Sequence, residues 1–463
     1  MPRRQTMGTI IPIMLMLGML LGLSIPPATA ETFTPPVLNS ENPVPLSRLI
    51  TLAQDNRAAY RQSLEDQELI PELRAGAIGQ FLPSIYAGGT WSNSDSEQEA
   101  IYVDGLPVPG TGGTYFNSSS SWYVQANESL FEGLSRYYGY QMTSLSVENT
   151  LLNTERSFDE LVSDIKSAAY NVLAAERALE VEREILNQRQ EAHRLARARF
   201  ETGDVIELDV MQAEIDLGTQ ENAVLSAEQA LRNAHEQLNL TVGLDLESEY
   251  TVAGNLEPML PNANPDSLVS IALRARPDLE VQRNQVDYYD YDVKRNTSNY
   301  FPTANAFVTY SRSESVQDER FSWSAVPGDR NIRYGLNLNW TLFDGFTREV
   351  QREQAVITKR KSMWDQHQFE QSVAADVRRQ WRTLTSTFQQ IEVADRNREL
   401  ARRQLNLEQE RYRVGVSDQL NLRSAQVTFV SAEREYLARV LDFFTTMATL
   451  ERDLGMPLEE IAR

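Results

Sequence analysis

The chain changes its hydrophobic rhythm several times, and it runs through the same changes twice. From a candidate N-cap at Ser47 to about Gln80 the spacing is helical. The pattern stops at Pro83, because the residue before a proline resists the α conformation. The period then falls to two, with Ile85, Ala87, Gly89 and Trp91 alternating with Ser84, Tyr86, Gly88 and Thr90. A second alternating run sets Trp122, Val124, Ala126 and Leu130 against Tyr123, Gln125, Asn127 and Ser129. From Leu134 to Phe200 there is no proline, and Phe158, Leu161, Ile165, Ala168, Val172, Ala175, Leu179 and Leu186 form a stripe interrupted at Glu182. This is coiled-coil patterning. At 1.5 Å per residue it predicts a helix roughly 100 Å long. The chain then turns at Gly203 and returns to Gly243.

The second passage follows at a fixed offset. Gly133, Gly203 and Gly243 recur 212 residues later as Gly345, Gly415 and Gly455. Ser129-Leu130-Phe131-Glu132-Gly133 returns as Thr341-Leu342-Phe343-Asp344-Gly345, and Arg199-Phe200-Glu201-Thr202-Gly203 as Arg411-Tyr412-Arg413-Val414-Gly415. Upstream the offset is 219, so the first copy carries a longer loop between its strands. The second helix is expected to start at Asp266 or Ser267 and to stop before Pro302. Its strands follow, the clearest with Ile332, Tyr334, Leu336, Leu338, Trp340 and Leu342 on one face. Val373, Val377, Trp381, Leu384, Phe388 and Ile391 carry the second long stripe. Each copy is one structural unit, and the two form a body with pseudo-symmetry. Each return limb, stacked end to end with a shorter helix, matches the length of a long one. The expected organisation is a lead over 31–45, a first repeat over 46–243 with its β-hairpin at 84–130, and a linker over 244–265. A second repeat follows over 266–455 with its hairpin at 303–343, then a tail over 456–463.

Each alternating run is about 10 residues, the length of a tilted strand crossing a bilayer. An ordinary half-buried hairpin shows the same alternation. Four strands per chain leave open edges that lipid cannot satisfy, so strands that span must be closed into a barrel by sister chains.

Charge and composition narrow the setting. Arg3 and Arg4 precede an apolar stretch, Ile10 to Ile25, and Ala28-Thr29-Ala30 is a small-residue cleavage pattern. Residues 1–30 therefore read as a secretory signal. The chain has no cysteine, so packing alone holds it together. Net charge is −21, or −23 once Arg3 and Arg4 are removed. That argues against nucleic acid and anionic lipid as partners, and favours an interior or rim that attracts cations. His193, His235 and His367 are dispersed, and no phosphate loop or nucleophile motif occurs. No catalytic, metal or cofactor site is expected.

The paired joints, the paired helical turns, Phe81-Leu82-Pro83 and Arg276-Pro277-Asp278-Leu279 resemble the TolC-like outer-membrane efflux proteins. The resemblance covers about Leu46 to Gly455. It implies a mainly α fold with a small β part: a long coiled-coil helical barrel, and four transmembrane strands per chain completing a twelve-stranded barrel in a homotrimer. The implied function is a passive exit duct of tripartite efflux or type I secretion, in the outer membrane with a long periplasmic extension. The implied partners are a periplasmic adaptor and an inner-membrane pump or ABC transporter. Trp122, Val124, Tyr334, Leu336, Leu338 and Trp340 would face lipid. Tyr412 and Asp209 match an aperture link. Asn421 and Ser424 stand at acidic-ring positions, and Ser417 stands where an arginine often completes the link. The tips with Gly203, Val205, Ile206, Gly415 and Val416 would dock the adaptor. The competing reading is a soluble periplasmic coiled-coil adaptor or scaffold.

Overall fold

A computed structural model describes residues 34–109, 111–317 and 328–458; the expected leader lies outside the described residues. The first half comprises helices α1 (Leu46–Asn56), α2 (Ala58–Glu68) and α3 (Ile70–Gly79), then strands β1 (Ser84–Gln98) and β2 (Gly113–Glu132). Helices α4 (Ser135–Glu201) and α5 (Glu207–Val242) complete it. The second half comprises α6 (Pro265–Ala275), α7 (Pro277–Ser298), β3 (Thr303–Gln317), β4 (Asp329–Asn339), α8 (Thr347–Arg413) and α9 (Gln419–Leu454). The duplication is exact at the helix ends: α4 and α8 each have 67 residues, and α5 and α9 each have 36. The fold is mainly helical with a small sheet, as expected.

The helices ahead of the strands differ from expectation. Ser47 is not the N-cap; Pro45 is, with no side-chain bond. Val44 and Pro45 pair in parallel with Val252 and Ala253, which delivers the chain straight into α1. In the second copy the cap is Asn264, whose side chain accepts from the Asp266 amide at 3.0 Å. Both helices are also broken, at Arg57 (ψ 116) and Arg276 (ψ 121). Pro277 accounts for the second break. The first has a tertiary setting. Gly243 (φ +83) ends α5 against it, where a Cβ would lie 2.5 Å from the Asn56 carbonyl oxygen. Only glycine combines that conformation with so close an approach. Arg57 Nη2 also reaches Asp164 on α4 at 2.6 Å. A further break at Leu69 precedes Pro71, which lacks an amide proton, whereas α7 runs unbroken through its counterpart, Asp290.

The return limb α5 thus abuts the end of α1 beside the long α4, and Gly455 after α9 meets Ala275 at the end of α6. Burial repeats accordingly. Leu49, Ala53, Leu161, Ile165, Val172, Leu238 and Val242 form one apolar cluster. Their counterparts Leu268, Ala272, Val373, Val377, Leu384, Leu450 and Leu454 form another. A third joins the two hairpins nearer the tip, through Val181, Ile185, Leu405, Tyr412, Leu422 and Phe429. The lead and linker lie together, with the Leu38 amide on Ser248 Oγ at 3.1 Å and the Ser40 amide on the Glu249 carbonyl at 3.2 Å.

One mid-length cluster couples this packing to pH. A cavity of about 110 Å³ is lined by Arg156, Asp159, Glu160, Arg276, Asp278, Arg452 and Asp453. Burial, then the Glu155 and Glu160 carboxylates, push the Asp159 carboxyl up to about 6. Between its unfolded value of 3.8 and 6, the folded state therefore holds the proton more tightly, so its contribution to stability falls as pH rises. Asp159→Asn is expected to raise stability at pH 7 by about 1–2 kcal/mol, allowing for partial solvent screening. Melting curves at pH 7 and pH 4 check this; the gain should vanish at pH 4.

Candidate functional site

At one end of the molecule the four strands form a single antiparallel sheet in the order β1-β2-β3-β4. Its register aligns one apolar face across every strand. Ile85, Ala126, Val308 and Tyr334 share a row, and Ala87, Val124, Tyr310 and Ile332 share the next. Directly opposed residues in an antiparallel pair point to the same face. The other face carries Tyr86, Gln125, Asn127, Thr309, Asn337 and Arg333, with Gln125 Nε2 donating to Asn127 Oδ1 at 2.8 Å. Along the apolar face of this chain Tyr334 is 78% exposed, Leu336 75% and Leu338 73%. Trp122 lies on the same face, its ring 5.5 Å from that of Tyr310.

Three details depart from simple alternation. The strands have 15, 20, 15 and 11 residues, longer than the expected 10, and the excess carries polar residues on both faces. A bulge between Ser129 and Phe131 removes Leu130 from the apolar row and puts Phe131 opposite Ala304. Trp340 lies one residue beyond β4 and donates from Nε1 to the Tyr300 carbonyl at 3.2 Å. Glu128, the one charge on the apolar face of β2, is neutralised by Arg136 at 3.1 Å.

At the strand-to-helix joints, Leu134 (φ 71) and Phe346 (φ 68) are left-handed directly after Gly133 and Gly345. Two successive residues of this hand turn the chain sharply out of the sheet. A non-glycine residue there is strained, and the strain recurs at both joints.

At the far end, α4 turns into α5 and α8 into α9. Gly203 (φ 82) and Gly415 (φ 80) reverse the chain. Ile206 (63%) and Val416 (69%) are exposed there with Leu208, Val414 and Leu420, while Val205 is half-buried. Tyr412 is buried, although Phe200, its counterpart in the first repeat, is exposed. The Arg199 guanidinium lies 5.4 Å from the Tyr412 ring centre and donates to its carbonyl at 3.3 Å. Burial pushes the Tyr412 phenol up, with Arg199 opposing and the Asp209 carboxylate adding to the rise. No hydrogen bond joins Tyr412 to Asp209 among the described residues: the hydroxyl has no partner, and Asp209 Oδ2 accepts from the Ile206 amide at 3.3 Å. Asn421 donates its amide to the N-cap Asp418 at 2.8 Å, Ser424 is exposed, and Ser417 Oγ donates to Glu408 at 2.8 Å.

The strongest polar links between the two hairpins lie further from the tip. Asp216 on α5 is buried and receives Arg189 of α4 at 3.3 Å, Arg423 of α9 at 3.4 Å and Gln212 at 3.1 Å. Higher on the same seam, Glu182 of α4 accepts Arg434 of α9 at 2.6 and 3.1 Å and Gln220 of α5 at 2.7 Å. Lys166 of α4 meets Glu451 of α9 at 2.7 Å above these. The interruption of the apolar stripe at Glu182 was the sequence signal for this seam. Arg189 continues it seven residues on, one heptad later.

A barrel-type sheet of one apolar face, joined to helical hairpins of this length, defines an outer-membrane channel with a helical tunnel. Residues 49–244 and 268–456 match the family model for outer membrane efflux proteins. The chain belongs to that family, and it is an outer-membrane channel with a periplasmic helical part. It is 22% identical to the alkaline protease secretion protein AprF of Pseudomonas aeruginosa, over 88% of this chain and 83% of AprF. Its fold is that of CusC (TM-score 0.76, 16% identity, 92% of this chain and 99% of that one). It is likewise that of the CmeC outer membrane channel of Campylobacter jejuni (TM-score 0.73, 14% identity, 93% and 90%). Among the described residues no helix is long and apolar enough to cross a membrane.

Proposed function

We propose that three copies of this chain close their sheets into one twelve-stranded barrel and act as the passive exit duct of an efflux or type I secretion assembly. The observation that carries this is the sheet itself: among the described residues, β1 and β4 each have a neighbour on one side only. Unpaired strand edges are not tolerated in lipid, so each β1 edge must meet the β4 edge of a neighbouring copy. The tips turn at Gly203 and Gly415 and expose Ile206, Leu208, Val414, Val416 and Leu420 beside the half-buried Val205; apolar side chains gathered at one end in this way suit a periplasmic adaptor. An inner-membrane pump or ABC transporter would supply the cargo, and likeness to a protease secretion protein makes exported protein one candidate.

Closure of the tunnel is assigned to the seam between the hairpins. Tyr412 contributes by packing in the apolar cluster and by its contact with Arg199, with Asp209 close enough to weigh on the phenol. Asn421 and Ser424 are neutral, which makes gating by a ring of carboxylates at those positions unsuitable for this chain.

The absence of native cysteine makes a direct test available. A cysteine at Asn337 in β4, combined with single cysteines scanned along β1 from Ser84 to Thr90, should give disulfide-linked dimers and trimers at one register of the scan. Monomers at every position, from protein recovered in the soluble periplasm, would refute the duct.

A further inference from the structure

The rows of the sheet report depth as well as facing. Trp340 lies one residue past β4, at the end of the sheet that joins the helices, and Arg330 lies ten residues before it, within β4. At about 3.4 Å per residue and a tilt near 40° that is a height of roughly 26 Å, about the thickness of the apolar band on an outer-membrane barrel. Arg330 therefore sits at the outer edge of the band. Directly opposite it on β3 is Arg312, so both guanidinium groups start from the same row of the apolar face. Like charges in that position repel. Among the described residues no ion pair engages either one. Arg312 Nη2 donates to the Gly328 carbonyl at 3.3 Å, and its Nε is buried without a partner. The next position on this face of β3 is Glu314, opposite Ser120, and the row towards the membrane centre holds Val124, Tyr310 and Ile332.

We propose that Arg312 and Arg330 form a subsite for the phosphate of a phosphorylated outer-leaflet glycolipid, whose acyl chains lie along Tyr310, Ile332 and Tyr334. A phosphate accepts several hydrogen bonds from paired guanidinium forks and removes the repulsion between them. The lipid source follows from continuity, and the local pair of positive charges sets this spot apart from the net negative chain: the pair tops the apolar rows through Val308, Tyr310, Ile332 and Tyr334, on the face opposite the polar one. A free anion would gain nothing from the apolar rows.

The test uses the full-length, detergent-purified protein and native mass spectrometry. The probes are a bis-phosphorylated lipid A-type glycolipid, its dephosphorylated form, and inorganic phosphate as competitor. The unaltered protein should retain the phosphorylated glycolipid, and Arg312→Gln with Arg330→Gln should weaken retention on the order of a hundredfold, about tenfold per arginine. Arg333→Gln, opposite Thr309 on the other face, should bind as the unaltered protein does. Where the double variant fails to assemble, Arg330→Gln alone, at an exposed position, carries the tenfold expectation. Equal binding by the arginine variants or by the dephosphorylated lipid overturns the subsite, as does complete displacement by inorganic phosphate.

Discussion

Arg423→Ala combined with Arg434→Ala should convert a closed tunnel into an open one, seen as a rise in single-channel conductance of the reconstituted trimer. Both arginines belong to α9, and each reaches across to the other hairpin, Arg423 to Asp216 and Arg434 to Glu182. Both are partly exposed, so each link is worth only about 0.5–1 kcal/mol. A trimer whose hairpins move together holds six of them. The closed state then loses about 3–6 kcal/mol, a shift of roughly 10²- to 10⁴-fold in population. The choice of arginine over its partner matters. Asp216→Ala would leave Arg189 buried and uncompensated, which costs about 3–5 kcal/mol of folding stability and would confuse gating with unfolding. Removal of Arg423 instead leaves Asp216 paired with Arg189. Removal of Arg434 leaves the buried Glu182 carboxylate with Gln220 alone among the described residues, at 2.7 Å, so the folding of the double variant is measured by melting before its conductance is read. Arg403→Ala, whose partner Glu399 is on its own helix, is the control and should leave conductance unchanged. A folded double variant with unaltered conductance would remove the seam from the gate.

What could be read from residues alone divides along physical lines. Features set by local chemistry were legible: the paired glycines at helix ends and turns, the period-two strands, the proline stops. The break at Arg276 was written in Pro277. The break at Arg57 was not, because Ala58 tolerates a helix and the cause lies in Gly243 and Asp164, each more than a hundred residues away. The bulge at Leu130 was likewise invisible, since only pairing with β3 shows that one strand carries an extra residue there. At the tip, the motif located Tyr412 but could not show that it is buried while its counterpart Phe200 is exposed. The links through Arg189, Asp216 and Arg423 join three helices. Only the polar interruption of a core stripe hinted at them.

Leu336→Arg should abolish assembly in the outer membrane, whereas Asn337→Arg, its immediate neighbour, should be tolerated. The two residues occupy opposite faces of β4: Leu336 lies opposite Ala306 in the apolar rows, and Asn337 lies opposite Asn305 on the polar face. Arginine near the centre of the lipid face costs about 2–4 kcal/mol, and less towards either interface. In a trimer that penalty falls on all three copies at once, about 6–12 kcal/mol in total, comparable with the whole stability of a folded domain. On the inner face the new guanidinium meets water and polar neighbours, so it is expected to alter conduction rather than folding. Outer-membrane yield and trimer mobility on unheated gels measure both variants in one experiment. The comparison isolates facing from every other property of the substitution, because charge, size, strand and depth are nearly the same. Equal recovery of the two proteins would mean that the Leu336 face does not meet acyl chains. The rows through Tyr334, Leu336 and Leu338 would then have to be buried against protein, and the barrel would have to close the other way round.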